Sequence, residues 1–116
     1  EVWDGEQLRD FTYVDDAVEA LLLAAVRDDG NGQAFNLGGE RAISLKDLAT
    51  LLVEVTGGGE FRVRAFPEDR KRIDIGDYYA DDRLIRNVLG WEPKVSLRDG
   101  LARTLSYYRE HLKNYL

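Results

Sequence analysis

Nine of the ten residues from Ala17 to Val26 are alanine, leucine or valine, with only Glu19 between them. Spread around a helix, such side chains leave almost no polar face. A helix over Ala17 to about Arg27 must therefore be covered by other elements on most of its surface. A chain of 116 residues builds one modest core and has little left to wrap a helix on every side. The sequence thus predicts an inner helix whose covering comes partly from outside these residues. The opening Glu1-Val-Trp-Asp-Gly5, with no initiator methionine, adds to the expectation of a fragment.

Strand and helix signals alternate along the rest of the chain, which points to the α/β class. Leu8 to Val14 carries Leu, Phe, Thr, Tyr and Val and predicts a short strand, after which Asp15 is expected to cap the apolar helix. Asp28-Asp-Gly-Asn-Gly32 is a turn cluster, and Gln33 to Leu37 predicts a strand stopped by Gly38-Gly39. Ser44-Leu-Lys-Asp47 has capping-box spacing and opens a helix with Leu45, Leu48, Leu52 and Val55 on one face, ended by Gly57-Gly-Gly59. Phe61 to Phe66 alternates apolar and basic, a half-buried strand closed by Pro67. Asp81 or Asp82 is expected to cap a helix that ends at Gly90. Ser96-Leu-Arg-Asp99 opens the last helix, roughly Leu97 to Leu112.

Composition removes several classes of function. A net charge of −6 argues against nucleic acid, whose phosphates are bound by basic surfaces. The longest apolar run is far too short for a bilayer, and no charged-then-apolar segment opens the chain, so neither a membrane nor secretion is indicated. The absence of cysteine excludes disulfides and thiolate metal sites and agrees with a cytoplasmic setting. The pairs Asp15-Asp16, Asp28-Asp29 and Asp81-Asp82 are accounted for by helix starts and a turn and lack calcium-loop spacing. His111 has no triad or metal partner in the pattern. No metal is expected.

Two segments carry the chemistry. In Gly5-Glu-Gln-Leu-Arg-Asp-Phe-Thr-Tyr-Val-Asp-Asp16, Arg9 stands in an extended run, where a planar guanidinium can hold a diphosphate bidentately. In Lys71-Arg-Ile-Asp-Ile-Gly-Asp-Tyr-Tyr-Ala-Asp-Asp82, cations precede Asp74 and a helix start follows. Taken together with Phe35-Asn-Leu-Gly38 and Leu89-Gly-Trp-Glu-Pro93, these segments resemble the C-terminal, substrate-binding portion of the extended short-chain dehydrogenase/reductases, the NAD-dependent sugar-nucleotide epimerases and dehydratases. The resemblance covers essentially the whole chain. It implies the C-terminal part of an extended Rossmann-type fold, with residues 1–116 as one substrate-binding portion.

Residue by residue, the resemblance implies that Arg9 grips the nucleotide diphosphate and that Phe11 lines the nucleotide site. It puts Lys71 at the place of a second diphosphate arginine, with Arg72 or Arg70 taking that role if the loop shifts by one. Asp74 is placed to accept from ribose hydroxyls. The family's Arg-Pro-Gly-Asp pattern is altered here, since Lys71-Arg72-Ile73 replaces Arg-Pro-Gly, and a lysine neutralises phosphate without the bidentate fork.

Two family motifs are not in this sequence. No Gly-x-x-Gly-x-x-Gly opens a helix, and Gly57-Gly-Gly59 runs from helix to strand instead. No helical Tyr-x-x-x-Lys is present; Tyr79-Ala-Asp-Asp-Arg83 mimics the spacing, but its tyrosine precedes the expected cap. The expectation is a nucleotide-sugar-binding portion of an NAD-dependent epimerase or dehydratase, catalytically incomplete by itself. No catalytic residue is expected here, and NAD would be bound by an N-terminal Rossmann domain. The expected partners are a nucleoside-diphosphate sugar, that domain, and a second copy of the parent protein. The alternative is a non-catalytic nucleotide-binding or protein-interaction module of the same fold.

Overall fold

The computed structural model describes residues 1–116. In chain order the elements are β1 (Val2–Trp3), β2 (Leu8–Arg9), α1 (Val14–Val26), β3 (Ile43–Ser44), α2 (Leu45–Thr56), β4 (Val63–Arg64), α3 (Glu68–Lys71), α4 (Arg83–Leu89) and α5 (Leu97–His111). Single 3-10 turns lie at Asp28–Gly30 and Leu112–Asn114. The fold is α/β, with short strands alternating with helices. β1 pairs with β4 in parallel, Val2 opposite Val63. β2 pairs with β3 antiparallel, Leu8 opposite Ser44 and Arg9 opposite Ile43.

The capping signals translate directly into helix starts. Ser44 Oγ accepts the Asp47 amide at 3.0 Å and Ser96 Oγ accepts that of Asp99 at 3.2 Å, each satisfying a donor that the first turn leaves unpaired. α2 and α4 stop at Gly57 and Gly90, both left-handed, with φ of 72° and 69°.

Asp15 does not cap α1, which begins earlier than expected, with Tyr13 in the cap position. Asp15 and Asp16 stand in its first turn, where negative charge suits the helix dipole. Asp16 is drawn inward instead. It is 2% exposed, its carboxylate accepts the Val95 amide at 3.0 Å, and its carbonyl accepts Trp91 Nε1 at 2.9 Å. At α4 the labour is divided: Asp82 pairs forward with Arg86 at 2.8 Å, while Asp81 accepts the Arg83 amide at 3.2 Å.

The strands are shorter than the sequence suggests. Only Leu8–Arg9 of the first run and Val63–Arg64 of the third form ladders, and Gln33 to Leu37 forms none. Side-chain pattern makes a segment apolar, but a strand also needs a neighbour for its amides. Phe35 and Leu37 instead pack on the core of Ala20, Ile85, Leu89 and Trp91, joined by Leu23, Ala24 and Val88. Pro67 closes the β4 segment and also opens the one-turn α3. Gly39 lies against the first segment: a Cβ there would stand 2.3 Å from the Phe11 carbonyl oxygen.

The expected covering of α1 is partial. Ala20 is buried, but Val18, Leu21, Leu22 and Val26 are exposed, Leu21 by 68%. No helix is long and apolar enough to cross a membrane.

Candidate functional site

Three chain segments meet around β2. One edge of β2 pairs with β3; the other is met by the loop after α3. There Tyr78 N donates to the Leu8 carbonyl at 3.0 Å, and Arg9 and Tyr78 form a parallel bridge. Asp77 Oδ1 accepts the Leu8 amide at 2.8 Å. This zipping brings the two segments singled out in the sequence side by side.

Arg9 Nη1 donates to the carbonyls of Leu8 at 2.7 Å and Gly76 at 2.5 Å. Its Nη2 lies 3.7 Å from Asp74 Oδ1, and both side chains are largely shielded, at 22% and 25% exposure. Nη1 is thus anchored by protein carbonyls, whereas Nε and Nη2 make no hydrogen bond to the protein. That remaining edge is the pair of donors a guanidinium uses for side-on bidentate recognition. Asp74 in turn accepts the amide of Gly76 at 2.9 Å, and Gly76 adopts φ of 68°, which a side chain would strain.

Asp74 and Gly76 line a cleft of about 750 Å³ together with Lys71, Asp77, Asp4 and Arg64. Lys71 Nζ lies 3.0 Å from Asp4 Oδ2. The hydrogen bond from Lys71, and then that from the Phe66 amide, hold the Asp4 carboxyl below the usual range. Glu6 also lines the cleft, which carries more carboxylates than cations. The cations that line it are Arg64 and Lys71. Through Phe66, Gln7 and Asp74 this cleft adjoins an apolar groove of about 570 Å³ that includes Trp3, Leu45 and Leu48. Trp3 and Phe66 form its aromatic wall, ring centroids 5.5 Å apart.

The structure brings Arg9, Asp74 and Lys71 to one region and leaves two expected residues elsewhere. Arg72 is exposed and does not line the cleft. Arg70 pairs with its neighbour Asp69 at 3.8 Å. Phe11 faces a separate hollow of about 170 Å³ with Val95, Leu97 and Leu101, toward α5. Sequence reasoning missed Asp4, Gln7, Gly76 and Asp77. The pairs Asp4-Gly5 and Gly76-Asp77 are turn signals, and they were the available hint that backbone and carboxylate turn back on the site there.

Residues 1–104 match the sequence model of the GDP-mannose 4,6 dehydratase family. The chain belongs to that family. A dTDP-glucose 4,6-dehydratase of Streptomyces griseus is 39% identical over 109 residues, covering 93% of this chain and 32% of the relative. Among solved structures, UDP-glucose 4-epimerase of Thermotoga maritima, determined with UDP-glucose, superposes with a TM-score of 0.83 at 38% identity. It matches 97% of this chain and 35% of its own. MoeE5, in complex with UDP-glucuronic acid and NAD, gives 0.76 at 36% identity, over 94% and 36%. The chain is thus homologous to NAD-dependent nucleotide-sugar epimerases and dehydratases and spans about a third of the length of those relatives.

The one strand that runs directly into a helix, β3 into α2, is closed by the Ser44 side chain on the Asp47 amide, with no glycine-spaced turn. Tyr79 lies ahead of α4, and Arg83 of the same segment is paired with Asp81.

Proposed function

We propose that this chain is the C-terminal, substrate-holding portion of an NAD-dependent sugar-nucleotide epimerase or dehydratase. The observation that carries the reading is Arg9: one nitrogen anchored on two carbonyls, the Nε–Nη2 edge making no hydrogen bond to the protein, and Nη2 paired with Asp74 at 3.7 Å. A diphosphate on that edge would be held in a fixed orientation, with Lys71 adding a point charge from the cleft. Asp74 is then placed to accept from ribose hydroxyls. The Trp3–Phe66 wall, its rings tilted by 49°, offers an apolar surface for the base. Binding energy from this end of the substrate would position a sugar carbon that reacts elsewhere.

The reaction centre and the NAD site belong, on this reading, to an N-terminal Rossmann domain that also covers the exposed face of α1. NAD there would accept and return the hydride; the residues of this chain orient the nucleotide. The setting is cytoplasmic, and the parent protein pairs as a homodimer. Lys71, rather than Arg72, is the second cation, because only Lys71 lines the cleft.

Calorimetric titration of UDP-glucose into the chain tests this. Arg9→Ala should weaken binding by about tenfold. Lys71→Ala should weaken it by several-fold, and Arg72→Ala should leave it within about twofold. Equal affinity for Arg9→Ala and wild type would sink the reading. Mixed with UDP-glucose and NAD, the chain alone should give no product.

A further inference from the structure

The Arg9 guanidinium is only as well aimed as the backbone beneath it, which β3 holds on one edge and the loop after α3 on the other. β2 is two residues long, and its outer edge is not a regular strand pair. Along that edge Tyr78 N supplies one bond to the Leu8 carbonyl, and a bridge at Arg9 follows. The Leu8 amide, which a longer strand would satisfy with a carbonyl, is satisfied by Asp77 Oδ1 at 2.8 Å. Immediately before Asp77, Gly76 presents its carbonyl to Arg9 Nη1 and its amide to Asp74. Asp77 therefore closes a ring running Leu8, Arg9, Gly76, Asp77 and back to Leu8, with Asp74 attached to it.

We propose that Asp77 is a positioning residue for nucleotide binding: by accepting the Leu8 amide it locks β2 to the loop after α3 and fixes Arg9 and Asp74 as one unit. The inference rests on the reading that Arg9 meets the diphosphate. The hydrogen bond from the Leu8 amide to the Asp77 oxygen does here what one more ladder bond would do. Asp77 acts through its oxygen acceptor and not through its charge, since a carboxylate lining the cleft would by charge alone repel a diphosphate. The prediction is therefore specific to geometry: asparagine, which keeps the oxygen, should preserve the function, and alanine should not.

The test titrates UDP into the wild-type chain, Asp77→Asn, Asp77→Ala and Arg9→Ala, and follows hydrogen exchange at the Leu8 amide in each. Asp77→Ala should speed Leu8 exchange and weaken UDP binding, each by about five- to tenfold, the loss of one hydrogen bond. Asp77→Asn should leave both within about twofold of wild type. Faster Leu8 exchange with unchanged UDP affinity would show a purely structural tie and overturn the proposal. So would an Asp77→Asn variant as impaired as Asp77→Ala. Absence of UDP binding by the wild type overturns the nucleotide reading and any part of Asp77 in it, whereas unchanged Leu8 exchange in Asp77→Ala overturns Asp77 alone. Should Asp77→Ala not fold, Asp77→Ser, whose hydroxyl falls short of the amide, takes its place.

Discussion

Asp16 and Asp4 show how differently two carboxylates of one chain act. Asp16 is buried and joins α1 to the segment after α4 through the Val95 amide. Asp16→Ala strands that amide and should cost about 1–3 kcal/mol in urea unfolding, far more than an exposed aspartate would. Asp4 is solvated, and its carboxyl is held low by Lys71 and then by the Phe66 amide. A carboxyl lowered by folding contributes stability above its unfolded value and loses it as pH falls through the folded one. Unfolding free energy should therefore drop as pH falls below about 4, and Asp4→Asn should make that drop shallower. Asp81, brought to about 2 by hydrogen bonds from the Arg83 side chain and then its amide, extends the same dependence to lower pH. Sequence pattern marked Asp16 only as an acid near a helix start. Its true partner lies far along the chain, and no local spacing encodes that.

Among the elements, the longer helices were legible and the strands only in part. Ser44 and Ser96 stand at the starts of α2 and α5 as their spacing predicts, since a cap is satisfied within four residues. Ser44→Ala should lower stability by about 1 kcal/mol, read as a shift in the denaturant midpoint at constant slope. The stretch from Gln33 to Leu37 has strand-like residues but no strand beside it, so its apolar side chains fill the core and its amides join no ladder. Gly38-Gly39 was read as a stop signal. The structure adds a contact, because Gly39 passes against the Phe11 carbonyl closely enough to exclude a methyl group. Arg9 and Asp74, singled out through their motifs, stand side by side in the structure, while Phe11 faces a separate hollow toward α5.

The whole molecule is more open than its length requires. Its radius of gyration is 16.8 Å, against about 13 Å for a self-contained domain of this size. Its accessible surface is 8368 Å², against about 6,400 Å² expected from its mass. Part of the exposed apolar surface lies on α1, where Leu21 and Leu22 are 68% and 62% exposed. Replacing both with lysine should change the stability of this chain by less than about 0.5 kcal/mol each while reducing self-association in light scattering. A large loss of stability would show instead that α1 is covered within the chain. The sequence by itself determined the class, the four longer helices, the Ser44 and Ser96 caps and the need of α1 for covering, because those depend on periodicity and on contacts a few residues long. Only the tertiary structure decided that Asp77 and Gly76 hold Arg9, that Lys71 and not Arg72 lines the cleft, and that Asp16 anchors Val95. Those depend on where distant segments cross, which packing settles and local pattern does not.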